Sequence, residues 1–170
     1  MNDLIEHFRR LYEYEFRCTA LVHEGLMRSR ENIERVGVAA LAAPFERAVQ
    51  VWSHMQAARR IWLVRLGREL DPPADGLFPA WSIDKALAQA EEMDTAWHGY
   101  IAALDAHELS RVTRYTSTEG KGYDTEVRDI LTHVVNHSSY HRGQIASLIA
   151  ATGAKPPITD FVFFCRRPVA

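Results

Sequence analysis

The stretch DILTHVVNHSSYHRGQIASLI, residues 129–149, places His133, His137 and His141 at intervals of four in a chain with eight histidines. Its apolar residues recur at helical spacing. On an α-helix, positions four apart are offset by about 40° and ~6 Å, so their side chains share a face. Adjacent members of the triple can therefore chelate one ion. His133 and His141 are about 80° and ~12 Å apart, too far for all three rings to reach one metal at ~2.1 Å. The triple divides into a pair and an extra, and spacing leaves open which pair chelates. The enclosed residues are Ser138, Ser139 and Tyr140 rather than the glutamate of an H-E-x-x-H protease motif, which disfavours protease chemistry.

Outward from this segment, Asp124 is expected to cap the histidine helix, which runs to about Thr152 and ends at Gly153, before the Lys155-Pro156-Pro157 stop. Residues 111–123, RVTRYTSTEGKGY, are rich in Thr, Tyr and Gly and read as an extended excursion or short hairpin. Residues 3–28 carry Leu4, Phe8, Leu11, Tyr12, Cys18, Val22 and Leu26 on one stripe and read as a first helix. A second starts near Pro44 and is stopped by DPPADG at 71–76. A third follows an expected Ser82 N-cap and runs to about Leu104. The apolar tail ITDFVFFCRRPVA is expected to pack over the helices or against another chain. Four long helices with short connections give an all-α fold, a four-helix bundle, in one domain spanning 1–170, with a short extended excursion before the last helix.

A site with open positions wants a third protein ligand from another helix. His54 shares a helical face with Val51, Ala58 and Ile61, which turns it inward and makes it the best candidate. His7, His23, His98 and His107 lack such a setting. The bland alternative is that these histidines are ordinary residues satisfied by hydrogen bonds.

Composition bounds the remaining classes. A net charge of −2, with 47% hydrophobic and 25% charged residues, describes an ordinary globular chain and gives no basic footprint for nucleic acid. No apolar run of ~20 residues and no secretion signal is present, so the default expectation is a cytoplasmic protein without a membrane partner. Cys18 and Cys165 form no C-x-x-C unit and are expected to be buried thiols. No G-x-S-x-G, phosphate loop or dinucleotide fingerprint occurs.

The segment NHSSYHRGQI, preceded by DILTHVV and followed by LIAATGAKPPITDF, resembles the closing helix and tail of the DinB-like proteins. PFERAVQVWSHMQAARRIWLVRL, residues 44–66, resembles their second helix. The resemblance implies a four-helix bundle of up-down-down-up character, usually a homodimer, with a metal held by one histidine of the second helix and two of the last. Carried over by position, these are His54, His137 and His141, because the family's pair precedes Arg-Gly-Gln and His141 is followed by Arg142, Gly143 and Gln144. His133 becomes the extra, one turn before the pair, free to hydrogen-bond a ligand, face a substrate cleft or merely fill space. Gly143 is expected to allow close packing near the site, and Arg142 and Gln144 to support the ligands or lie in solvent.

Imidazole ligands suit several divalent ions, and the resemblance makes zinc or nickel the usual candidates. Three neutral imidazoles with open positions suit activation of a small molecule. The expectation is a metal-dependent enzyme with a small-molecule substrate, a transferase using a low-molecular-weight thiol or, as a variant, a hydrolase; no catalytic side chain is assigned. The alternative from another class is a non-catalytic metal-binding dimer of the stress response.

Overall fold

The computed structural model describes residues 2–169; Met1 and Ala170, the outer bounds of the expected domain, lie outside the described residues. The chain is mostly helical, with six α-helices and one two-stranded sheet among the described residues.

The first helix, α1, spans Asn2–Val36. It continues well past the expected end because the polar segment after Met27 finds partners that a hydrophobic stripe does not reveal. Ser29 Oγ lies 2.8 Å from Thr152 Oγ1, and Asn32 Nδ2 donates to the Thr152 carbonyl at 2.8 Å. Gly37, at φ 67°, ends the helix in a conformation few other residues adopt cheaply.

A short 3-10 turn at Ala39–Leu41 leads into α2, Ala42–Arg65, with Pro44 in the first turn as expected. This helix stops at Gly67 (φ 89°), earlier than the proline-rich stretch expected to stop it. The third long helix, α3, spans Ile83–Ala102, and Ser82 Oγ accepts from the Lys85 amide at 3.2 Å, which satisfies one free N–H of the first turn.

A five-residue helix, α4 at Ala106–Ser110, is an addition to the sequence reading, capped by Asp105 through the Glu108 amide at 2.7 Å. The expected excursion is an antiparallel hairpin of β1, Val112–Thr116, and β2, Gly122–Glu126. Asp124 is not the cap of the following helix. It stands opposite Arg114 in the ladder and takes a two-pronged bond from that guanidinium at 2.8 and 2.7 Å. Cross-strand charge pairing outcompetes the cap role, and α5, Val127–Ala151, starts beyond it. Its end at Thr152 and Gly153 (φ 77°) is as expected.

Helix α6, Phe161–Cys165, carries the tail back onto α1 of the same chain. Tyr14 meets Phe161 edge-on at 5.0 Å, and its hydroxyl donates to the Thr159 carbonyl at 2.5 Å. Cys18 is buried, but Cys165 is only partly so, which corrects the expectation of two buried thiols.

The four long helices pack around two apolar clusters, one including Tyr12, Leu63, Trp97 and Leu131 and the other Leu26, Trp52, Ala86 and Ile149. Buried polar side chains are also part of the interior. Arg142 of α5 holds both carboxylate oxygens of Glu15 of α1, at 2.8 and 2.7 Å, and Arg59 of α2 reaches Asp94 of α3 at 2.6 Å. Buried charges need such partners, since an unpaired one costs several kcal/mol, on the order of 3–5. These pairs tie each histidine-bearing helix to a neighbour, α5 to α1 and α2 to α3.

Candidate metal centre

His54 extends from the middle of α2 and His137 and His141 from successive turns of α5. The His137 Nε2 lies 3.2 Å from His54 Nε2 and 3.2 Å from His141 Nε2, and one ring nitrogen from each of the three falls within 4.8 Å of the others. Two neighbouring helices thus bring residues 83 apart in sequence to one point. All three are half-buried rather than deep in the interior, so the point sits in the wall of the fold.

Two of the rings are fixed by their far nitrogens. His54 Nδ1 is 2.7 Å from the Leu77 carbonyl oxygen, which can only accept, so Nδ1 carries the hydrogen and, in the neutral ring, Nε2 presents the lone pair. His141 Nδ1 likewise donates to Gln144 Oε1 at 2.9 Å. Phe78 lies flat on the His54 ring, 4.4 Å between centroids and 3° from parallel, fixing its plane.

Burial, and then the neighbouring His141, His54 and His133, push His137 down to about 4. His141 is lowered as well, by burial first, against an upward pull from Gln144. Both shifts favour the neutral ring, the form that ligates a metal.

The donor set fits a cation. With Nε2 of His54 and His141 both lone pairs, a single hydrogen on His137 Nε2 cannot satisfy both 3.2 Å approaches fully. Nitrogens sharing one ion at ~2.1 Å in tetrahedral to octahedral geometry are separated by roughly 3.0–3.4 Å, which matches both approaches. The group is all imidazole, with no carboxylate or thiol in it.

His133 stands outside this group. It is exposed and meets the edge of Trp62 at 5.1 Å and the His137 ring at 5.7 Å. Gly143 is in open space, with nothing within 4 Å of where a Cβ would stand, so the expected close packing is absent. Arg142 is buried against Glu15, while Gln144 orients His141; neither is simply solvated.

A cavity flanks the group on each side of His54. One, of about 410 Å³, is lined by Arg47, Gln50, Phe78, Tyr140, His141 and Gln144 as well as His54. The other, of about 350 Å³, includes Trp62, Arg65, Tyr115, His133 and His137. The sequence reading missed Leu77, Phe78 and Arg65. A supporting backbone carbonyl has no residue-type signature, but the apolar pair Leu77-Phe78 inside a Pro- and Gly-rich loop was an available signal.

Comparison with curated proteins and with solved structures returned no match. Among protein families, the model of the DinB family matches residues 27–167, which include the three histidines and everything from the end of α1 to the tail. The chain belongs to the DinB family.

Proposed function

We propose that His54, His137 and His141 hold one divalent ion, zinc or nickel, and that the protein is a metal-dependent enzyme acting on a small molecule, a thiol-dependent transferase with hydrolysis as the nearest variant. The observation that carries this reading is the convergence of three imidazole nitrogens beside two cavities, each large enough for a small ligand.

Bound there, a divalent ion supplies a Lewis acid that lowers the pKa of a thiol or a water placed in its remaining positions. The chain's own residues set the conditions for that chemistry. Leu77 and Gln144 hold the far nitrogens of two rings, and burial keeps His137 neutral. Three neutral ligands leave the ion its full charge. Phe78 and Tyr140 give the larger cavity apolar walls beside His54 and His141, where an organic group can displace water.

The reading extends to assembly and place. The four long helices are taken as a four-helix bundle with up-down-down-up order, forming a homodimer in the cytoplasm, for which the exposed Val162 and Phe163 of the tail and the family membership are the support. Sedimentation at micromolar concentration tests the dimer.

The function is tested by metal analysis of the purified protein, followed by assay of the zinc- and nickel-loaded forms with a panel of low-molecular-weight thiols and electrophiles. One ion per chain with thiol-dependent turnover is expected. Full occupancy without turnover across a broad panel favours a non-catalytic metal-binding protein, and no bound ion sinks the reading.

A further inference from the structure

We propose that the cavity formed by Arg65, Trp62, Tyr115 and His133 is a subsite for the carboxylate of a small flat organic acid, placed next to the three-histidine group. This rests on the function proposed above and names a substrate class for it.

The first observation is a missing counter-ion. Arg65 is half-buried, yet among the described residues no carboxylate lies within 4.0 Å of it. Every other buried or half-buried arginine has one, such as Arg59 with Asp94 at 2.6 Å, Arg111 with Glu108 at 2.7 Å and Arg142 with Glu15 at 2.7 Å. A guanidinium stays charged at all ordinary pH, and withdrawing it from water without an anion is costly. Among the described residues the chain supplies a carboxylate to each of these guanidinium groups except the one at the cavity beside the histidines.

The second observation is what Arg65 does contact. Its guanidinium carbon lies 4.7 Å from the Trp62 ring centroid and 4.7 Å from that of Tyr115, and Nη2 donates to the Thr116 carbonyl at 3.1 Å. These contacts anchor the group to α2 and the hairpin and occupy one of its five N–H donors. No protein acceptor takes the others among the described residues. A planar fork with spare donors matches a carboxylate better than it matches a neutral amide.

The third observation is position. Arg65, His133 and His137 line the same cavity of about 350 Å³, which holds no acidic side chain. Arg65 and His133 both pack on Trp62, at 4.7 and 5.1 Å, and the His133 ring lies 5.7 Å from that of His137, so one cavity runs from the cation to the metal candidates. Trp62, Tyr115 and Tyr123 supply flat walls and Ile61 an aliphatic one, and Ser117 and Thr118 add hydroxyls near the hairpin turn. Arg47, in the opposite cavity, is exposed and bonded to Gln50 at 3.2 Å, and carries no comparable desolvation.

The probes are phenylacetate and 3-phenylpropionate, their uncharged amides, and inorganic phosphate, titrated calorimetrically into the full-length protein in metal-free and zinc-loaded forms. In the metal-free protein each carboxylate is expected to bind at least about tenfold more tightly than its amide, the size of one charge-assisted hydrogen-bond pair. Arg65→Met should abolish that preference, and Arg68→Met, which removes an exposed charge three residues away, should leave it. Thermal melts establish that the variants are folded. Should Arg65→Met fail to fold, Arg65→Lys decides, since it keeps the charge and loses the fork: weaker carboxylate binding is expected, and unchanged binding overturns the proposal.

The proposal is also overturned if the metal-free protein shows no carboxylate preference, if the preference survives in folded Arg65→Met, or if phosphate binds more tightly than either acid. The metal-free arm separates this result from the fate of the metal reading. A protein that binds no zinc can still show the Arg65-dependent preference, and a zinc-binding protein can lack it.

Discussion

His54 Nε2 of α2 and His137 Nε2 of α5 lie 3.2 Å apart, while His133, one turn earlier on the same face of α5, packs against Trp62 instead. His133 and His137, though neighbours on α5, therefore have different surroundings. His137→Ala is expected to remove most metal affinity, because two imidazoles hold a divalent ion far less well than three. His133→Ala should leave the metal content close to that of the unmodified protein. Metal analysis after dialysis against a weak chelator distinguishes them, and equal loss in both variants would defeat the ligand assignment.

Gln144 lines the larger cavity, and its hydrogen bond to the histidine group is the one to His141 Nδ1. Such an outer hydrogen bond fixes ring orientation, and its loss typically weakens a metal site by 10–100-fold. Gln144→Leu should lower zinc affinity by about tenfold in competition with a chromophoric chelator. Gln144→Glu, which keeps an acceptor oxygen, should restore it. An unchanged affinity in the leucine variant would show that the bond does not orient the ligand.

The Arg142–Glu15 pair is buried on both sides, at 2% and 6% exposure, so removing one charge strands the other in a region of low polarity. Glu15→Gln is expected to destabilise the fold by about 3 kcal/mol in urea unfolding. A loss under about 1 kcal/mol would mean that water reaches the guanidinium once its partner is gone.

Acid should weaken the metal-free protein through His137. Its folded value is pushed down to about 4 from an ordinary 6.5, by burial first and then by the neighbouring histidines. Between those values the unfolded chain binds the proton more readily than the folded one, so stability falls as pH drops from about 6.5 towards 4, and this group adds no further loss below that. Thermal melts of metal-free protein and of His137→Asn across this range test it. The drop should be smaller in the variant.

Much was determined by the sequence alone. The stripes of α1, α2, α3 and α5, the Ser82 cap, the Gly153 stop and the hairpin between Arg111 and Glu126 are all short-range matters, set by spacing and backbone preference within a few residues. The four-residue interval made a chelating pair possible, and the likeness to a family pointed to His137 and His141 together with His54.

Tertiary structure decided the rest, for reasons that lie outside any local window. Asp124 was expected to cap the histidine helix, and the strand partner Arg114 holds it in the ladder instead. The polar end of α1 is fixed by Thr152, 120 residues from its partner Asn32. The supports of His54 come from a backbone carbonyl and a loop aromatic 23 and 24 positions away, and Arg65 is distinctive only for an anion it lacks. Side-chain identity and period specify which elements form. Which polar atom meets which, and which charge is left facing a cavity, follows only when the packed helices bring distant residues together.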